Sequence, residues 1–260
     1  MLGAILERKR REVEELRLRA SALERAAEEA GPVRDFRAAL RRPDVVAVIA
    51  EFKRRSPSAG PIREDAGVGP VVAGYARAGA AAVSVLTDAA FGGSLDDLRE
   101  ARARVGVPLL RKDFVLDPVQ VAEARAAGAD AVLFVVRALD PAALRACAAA
   151  AESWGLAGLF EVHDEAELDR ALEAGAAMVG INNRDLATFR TDLRVTERLV
   201  VRVPAGILVV SESGFRGPED VRWAGTLGVD AVLVGESLMA APDPGGALAG
   251  WVGQPRRSRG

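Results

Sequence analysis

One short string recurs four times along the chain at intervals of about 50 residues: Ala78-Gly79-Ala80-Ala81-Ala82-Val83, Ala127-Gly128-Ala129-Asp130-Ala131-Val132, Ala174-Gly175-Ala176-Ala177-Met178-Val179 and Leu227-Gly228-Val229-Asp230-Ala231-Val232. A glycine that closes a helix, with an apolar run starting directly behind it, marks a helix-to-strand joint. Between the joints lie four more strand candidates: Val45 to Phe52, Val107 to Lys112, Leu156 to Val162 and Ile207 to Ser211. Their unbroken Val, Ile and Leu content suits parallel strands buried on both faces. Eight strands, each followed by room for a helix, predict an α/β chain closed into a (β/α)8 barrel, the TIM-barrel architecture. An open doubly wound sheet is the alternative, but the Gly-x-Gly-x-x-Gly of its nucleotide-binding form does not follow the first strand.

Ahead of the barrel, residues 2–30 are rich in Glu, Arg, Leu and Ala, with no Pro and no Gly after Gly3. They predict one long surface helix that lays Ile5, Leu6, Val13, Leu16 and Leu23 on a larger body. Gly31-Pro32 ends it, and Val33 to Leu40 reads as a short second helix. The expected division is an N-terminal helical extension over 1–43, the barrel over 44–253 and a disordered basic tail over 254–260. A lid over the site and a stabilising clamp are both open as roles for the extension.

Composition narrows the partners. A chain of 260 residues with a net charge of −2 carries no field that would gather nucleic acid or an anionic membrane surface. No apolar run approaches the roughly 20 residues of a membrane-spanning helix, and the N-terminus lacks the apolar core and cleavage site of a signal peptide. One cysteine, Cys147, and one histidine, His163, leave neither an internal disulfide nor a His/Cys zinc cluster. The expectation is a cytoplasmic monomer with no metal and no cofactor, acting on a small molecule. Cys147, in an Ala-rich helical run, reads as packing. Arginine outnumbers lysine by 32 to three, the lysines being Lys9, Lys53 and Lys112. Where a plain positive charge suffices this chain uses Arg, so each Lys raises the question of what a compact, titratable ammonium does there.

Active sites of such barrels lie at the C-terminal ends of the strands, where every second side chain points inward. Those ends carry Glu51 and Lys53, Lys112, Glu161, Asn182 and Arg184, and Glu212. A single charge there could be solvated rim. Two lysines and three glutamates around one low-dielectric mouth perturb one another's protonation as acid/base catalysis requires. After strands seven and eight, Ser213-Gly214 and Gly235-Glu236-Ser237 let backbone N–H groups approach an anion, at the usual phosphate cradle of these barrels.

Six stretches, Glu51-Phe52-Lys53-Arg54-Arg55-Ser56-Pro57-Ser58-Ala59-Gly60, Phe91-Gly92-Gly93-Ser94, Leu110-Arg111-Lys112-Asp113-Phe114, Glu161-Val162-His163, Ile181-Asn182-Asn183-Arg184-Asp185-Leu186 and Ser211-Glu212-Ser213-Gly214, closely resemble the motifs of the indole-3-glycerol phosphate synthases. The resemblance runs in order to about Met239. It implies a carboxy-lyase of tryptophan biosynthesis, which closes a pyrrole ring from a carboxyphenylamino deoxyribulose phosphate with loss of carbon dioxide and water.

By the same resemblance, Lys112 is the general acid and Lys53 steers the substrate carboxylate and phosphate. Glu161 is the main base for dehydration, with Glu51 beside it and Glu212 holding substrate hydroxyls. Asn182 and Arg184 lie near the anthranilate portion, whose ring packs on Phe91, Leu110, Phe114, Leu133 and Leu186. Ser56, Gly214, Gly235 and Glu236 hold the phosphate, mainly through backbone N–H groups at the two glycine turns, and Pro57 and Ser213 complete the substrate-binding set. Arg137 departs from the family pattern of small residues after the fourth strand, and either points outward or adds charge near the site. His163 reads as a strand-end neighbour of Glu161 rather than a catalyst. Two rivals stand beside this reading. An isomerase of aminated ribose phosphates would use a Cys and Asp pair at strand ends, and a catalytically silent phosphate-binding barrel would lose part of the Lys/Glu set.

Overall fold

The computed structural model describes residues 2–259 except 57–59 and 186–187, so Pro57 and Leu186 lie outside the described residues. Eight parallel strands form a closed barrel: β1 Ala47–Phe52, β2 Ala82–Leu86, β3 Leu109–Lys112, β4 Ala131–Val135, β5 Ala157–Val162, β6 Met178–Asn182, β7 Leu208–Glu212 and β8 Ala231–Val234. Each strand pairs with the next, and Ala47 opposite Ala231 closes the ring between β1 and β8.

The period of two along each strand sorts the side chains. Ile49, Leu110, Leu133, Leu159, Met178, Val210 and Leu233 pack inside the barrel, while Val48, Val83, Val132, Val179, Val209 and Val232 face the helices around it. Both sets are buried, which is why the strands read as continuous apolar runs rather than alternating ones. Phe36 and Leu40 of the short helix α3 (Phe36–Leu40) belong to the inner cluster and plug its N-terminal end.

The N-terminal stretch is not one helix. It forms α1 (Leu2–Arg17) and α2 (Ala20–Glu29), broken at Leu18 and Arg19, where Arg19 takes φ −123° and ψ 21°. A straight helix over the whole stretch would be roughly 40 Å long and would run past the barrel. The break lets both halves bury an apolar face: Val13 and Leu16 of α1 pack with Val119 at the start of α6 (Pro118–Ala126), and α2 lies along the same helix with Ala27 fully buried. Leu18, at the corner, is 90% exposed. No Gly or Pro marks the corner, because packing rather than backbone chemistry sets it.

The tail also differs from the expectation of a disordered basic end. Val46 donates its N–H to Gln254 O, Val45 bridges Pro255, and Arg256 and Arg257 donate theirs to Asp44 O and Gly225 O. The side chains of Arg256 and Arg259 pair with buried Asp230 at 2.5 and 3.1 Å. A string of arginines looks uncompensated in sequence, yet here it neutralises a carboxylate that the fold brings to it.

Candidate active site

The inward period carries on past the apolar layers to the C-terminal ends of the strands, where a cavity of about 260 Å³ opens. Its wall includes Glu51, Lys53, Ser56, Phe91, Lys112, Phe114, Leu133, Glu161, Asn182, Arg184, Glu212, Ser213, Gly214, Gly235 and Glu236. Leu110 is not on this wall: it points inward and is fully buried in the interior cluster. It sits two residues, roughly 6.6 Å, below Lys112.

Lys112 stands at the centre of the charges. Its ammonium lies 3.1 Å from Glu161 Oε2 and 3.3 Å from Glu212 Oε2. Lys53 lies 3.0 Å from Glu51 Oε1. Burial alone would push Lys112 toward the neutral amine, but the carboxylates of Glu161, Glu212 and Glu51 outweigh it and hold its pKa above the usual lysine range. The two glutamates beside it divide. Burial raises both, and for Glu161 the neighbouring Lys112, then His163, then a hydrogen bond from Asn182 bring the net shift below the ordinary value. Glu212 is pushed up to about 8 by burial and by the negative charges of Glu161 and Glu51, against the pull of Lys112. Two carboxylates on one ammonium therefore sit on opposite sides of their normal value, as acid and base partners do.

Close backbone approach makes room for these carboxylates. A Cβ on Gly180 of β6 would fall 2.1 Å from Glu212 Oε1, and one on Gly235 would fall 2.4 Å from Glu51 Oε1. Any side chain at either position would drive its glutamate out of place.

The Asn182-Asn183 pair splits by the same period of two. Asn182 faces the cavity, accepting from Arg184 N at 3.0 Å. Asn183 faces outward and ties β6 to β7 by donating to Ser211 Oγ, Glu212 O and Ser213 O. Arg111 and Lys112 split likewise. Arg111 is buried outside the barrel, paired with Asp113 and Glu123, and only the lysine enters the site.

Beyond β7, Ser213 takes φ 68° and Gly214 φ 91°, two successive left-handed residues. A non-glycine residue held there is strained, and such strain collects at functional sites. Gly235 opens the next short helix with no side-chain cap on its first turn. Glu236 does not turn its charge onto this corner, since its carboxylate meets Arg184 Nη2 at 2.9 Å.

Arg137 is off the cavity wall, its Nε 2.6 Å from Glu167 Oε1, which settles its direction as away from the site. Cys147 is fully buried in helix α7 (Pro141–Ser153), where burial pushes its thiol up to about 12. Among the described residues no group of His, Cys, Asp and Glu could hold a metal. Sequence reasoning missed Leu86, Phe189, Thr191, Phe215 and Arg216 of the wall. Counting inward from Ser84 would have found Leu86. Phe189, at φ 59° in the loop after β6, gave no signal.

The extension reaches this end of the barrel. Lys9 is 4% exposed, and its Nζ lies 2.8 Å from Asp113 and 3.1 Å from Asp88. Asp113 also accepts from Phe114 N, and Asp88 from Ala90 N. Each carboxylate thus sets a loop that delivers one wall ring, Phe114 or Phe91, with ring centres 6.5 Å apart.

The family model for indole-3-glycerol phosphate synthase matches residues 2–249. Indole-3-glycerol phosphate synthase 2 of Streptomyces coelicolor is 53% identical over 239 residues, covering 92% of each chain. The indole-3-glycerol phosphate synthase of a Roseiflexus species is 48% identical over 254 residues, covering 94% of each. Among solved structures, 3-hexulose-6-phosphate synthase from Salmonella typhimurium superposes with a TM-score of 0.64 at 16% identity, over 79% of this chain and 96% of that one, a likeness of fold alone. With the barrel, the Lys/Glu centre and matches of this length together, the chain belongs to the indole-3-glycerol phosphate synthase family.

Proposed function

We propose that the chain closes the pyrrole ring of indole-3-glycerol phosphate from 1-(2-carboxyphenylamino)-1-deoxyribulose 5-phosphate, releasing carbon dioxide and water, as the carboxy-lyase step of tryptophan biosynthesis. The observation that carries this reading is Lys112 held between Glu161 and Glu212 on the cavity wall, with the Lys53–Glu51 pair on the same wall.

The phosphate sits at the left-handed turn of Ser213 and Gly214, against Gly235, Glu236 and Ser56, with backbone N–H groups as donors. The anthranilate ring lies against Phe91, Phe114 and Leu133, near Asn182 and Arg184. Lys53 holds the substrate carboxylate over the ring carbon that attacks. Lys112, kept charged by its carboxylates, gives a proton to the ribulose carbonyl oxygen as the new carbon–carbon bond forms. Loss of carbon dioxide restores the aromatic ring. Lys112, recharged by a proton from solvent, then protonates the departing hydroxyl while Glu161 takes the proton from the neighbouring carbon, and Glu51 and Glu212 fix the hydroxyls; one proton is taken up overall, matching the carboxylate lost as carbon dioxide. Every electron pair moves within one substrate, so the reaction calls for no redox cofactor.

Among the described residues no helix is long and apolar enough to cross a membrane. We place the chain in the cytoplasm as a monomer on a free phosphorylated metabolite. The test is product fluorescence on mixing with the substrate. Lys112→Ala should lower turnover by roughly 10² to 10⁴ while binding stays within about tenfold. Near-normal turnover in that variant refutes the assignment.

A further inference from the structure

His163 follows β5 two residues after Glu161 and is buried behind the cavity wall rather than on it. Its backbone N–H and its Nδ1 both meet Glu167 Oε2 at 2.9 Å. Glu167, in helix α8 (Glu165–Glu173), has its other oxygen on Arg137 Nε. Burial raises the Glu167 carboxyl, but His163 and Arg137 outweigh it and hold it below its usual range, so it is a carboxylate with nothing to donate. Nδ1 must then carry the ring hydrogen, and in the neutral ring the lone pair falls on Nε2. Nε2 lies 3.6 Å from Glu161 Oε1, just outside hydrogen-bond distance, and has no hydrogen-bond partner among the described residues. The enclosed lone pair is thus a vacant acceptor aimed at Oε1 of Glu161, placed to take a proton once that carboxylate has picked one up.

We infer that His163 is the proton-holding partner of Glu161, drawing off the proton that Glu161 removes from the substrate. This rests on the reading of Glu161 as the base of the dehydration. The step balances within the pair. The O–H bond on Glu161 Oε1 breaks, an N–H bond forms on His163 Nε2, and Glu161 returns to a carboxylate. The imidazolium so formed stands against the Glu167 carboxylate and releases its proton to water when the product leaves. The charged groups around the ring are Glu161 on its own strand, Glu167 and its neighbour Asp164 from the α8 end, and Arg137 from the turn after β4. Lys112 and Asn182 reach Glu161 from β3 and β6. Arg137 faces Glu167 rather than the ring, so it supports the carboxylate without displacing the imidazolium.

The experiment is the single-turnover rate of product formation against pH for His163→Asn, whose amide can still donate to Glu167 but offers nothing at Nε2. His163→Gln, which can place a donor but no proton acceptor near Glu161, is measured in parallel. Both variants should slow the rate by about tenfold or more and lose one ionisation from the acid limb of the profile. Wild-type rate with an unchanged acid limb in either variant overturns the inference, even if the melting temperature falls. Glu161→Gln separates the two levels. Normal turnover there refutes Glu161 as base, whereas an inactive Glu161→Gln beside fully active His163 variants refutes His163 alone.

Discussion

Asp130 and Asp230 hold the same place in two copies of the repeat: each precedes its strand by one residue, and each carboxylate accepts a backbone N–H near the start of the preceding strand, Leu109 and Val209, both at 2.8 Å. Both are buried, and both need a cation. Asp130 takes Arg102 from the adjacent helix α5 (Leu95–Arg104), whereas Asp230 takes Arg256 and Arg259 from the far end of the chain.

Removing the tail cations should therefore act on stability and not on chemistry. Arg256→Ala with Arg259→Ala leaves Asp230 enclosed and unpaired, which costs about 3 kcal/mol, at the lower end for a broken buried pair because the arginines are partly exposed. The expected melting temperature is roughly 6–12 °C lower. Turnover at 25 °C should be unchanged, since the pair lies at the opposite end of the barrel from the cavity. Calorimetry and steady-state kinetics on the same preparation check both halves.

Lys9 should act on both. In Lys9→Met, Asp88 and Asp113 lose a shared ammonium but keep Arg8 and Arg111, so the cost is about 1.5–3 kcal/mol, that of lost charged hydrogen bonds rather than of an unpaired buried charge. The loops that carry Phe91 and Phe114 lose their common anchor. A misplacement of about 1 Å far from the reacting atoms can lower rate up to about 10²-fold, so kcat/KM should fall by about tenfold or more at temperatures where the variant is folded. Unchanged kinetics with a lower melting temperature would leave α1 as a clamp alone.

The Glu212 carboxyl is raised in the folded chain, so the native state binds this proton more tightly than the unfolded one. The stability it contributes is complete below its unfolded pKa of about 4.3 and is lost as pH rises through about 8. Glu212→Gln removes that loss. Urea unfolding between pH 5 and 9 should show a flatter profile for the variant than for the parent, with parallel profiles contradicting the direction of the shift.

Inorganic phosphate should raise the melting temperature with the logarithm of its concentration, the stabilisation reaching about 2.7 kcal/mol at a hundredfold excess over its dissociation constant. Gly214→Ala should abolish the effect, because a Cβ there lies 2.6 Å from the Thr191 methyl on a left-handed backbone. A phosphate response that survives the substitution would move the anion elsewhere.

What could be read from sequence was what repeats or alternates. The glycine joints located the strands, and counting by twos from them brought Glu51, Lys53, Lys112, Glu161, Asn182 and Glu212 to one mouth, all on the cavity wall. Depth was harder. Leu110 shares a face with Lys112, and only the layering of the closed barrel puts it below the cavity floor. The corner at Leu18, the docking of Arg256 and Arg259 on Asp230, and the ring of Phe189 depend on partners distant in sequence, which no local pattern records.

The distribution of the three lysines has a practical side. Lys9, Lys53 and Lys112 are all at the catalytic end, with side chains only 4%, 12% and 14% exposed, and the outer surface is served by arginine. An acylating reagent finds no lysine amine on the helical exterior. Labelling at the lysines, read apart from that of the α-amine, becomes a report on how often the mouth of the barrel opens, and a molecule seated there shields the ammonium groups from it. Attachment to a support through a lysine amine, routine for most proteins, would for this chain draw on two groups proposed to do the chemistry and a third that ties their loops.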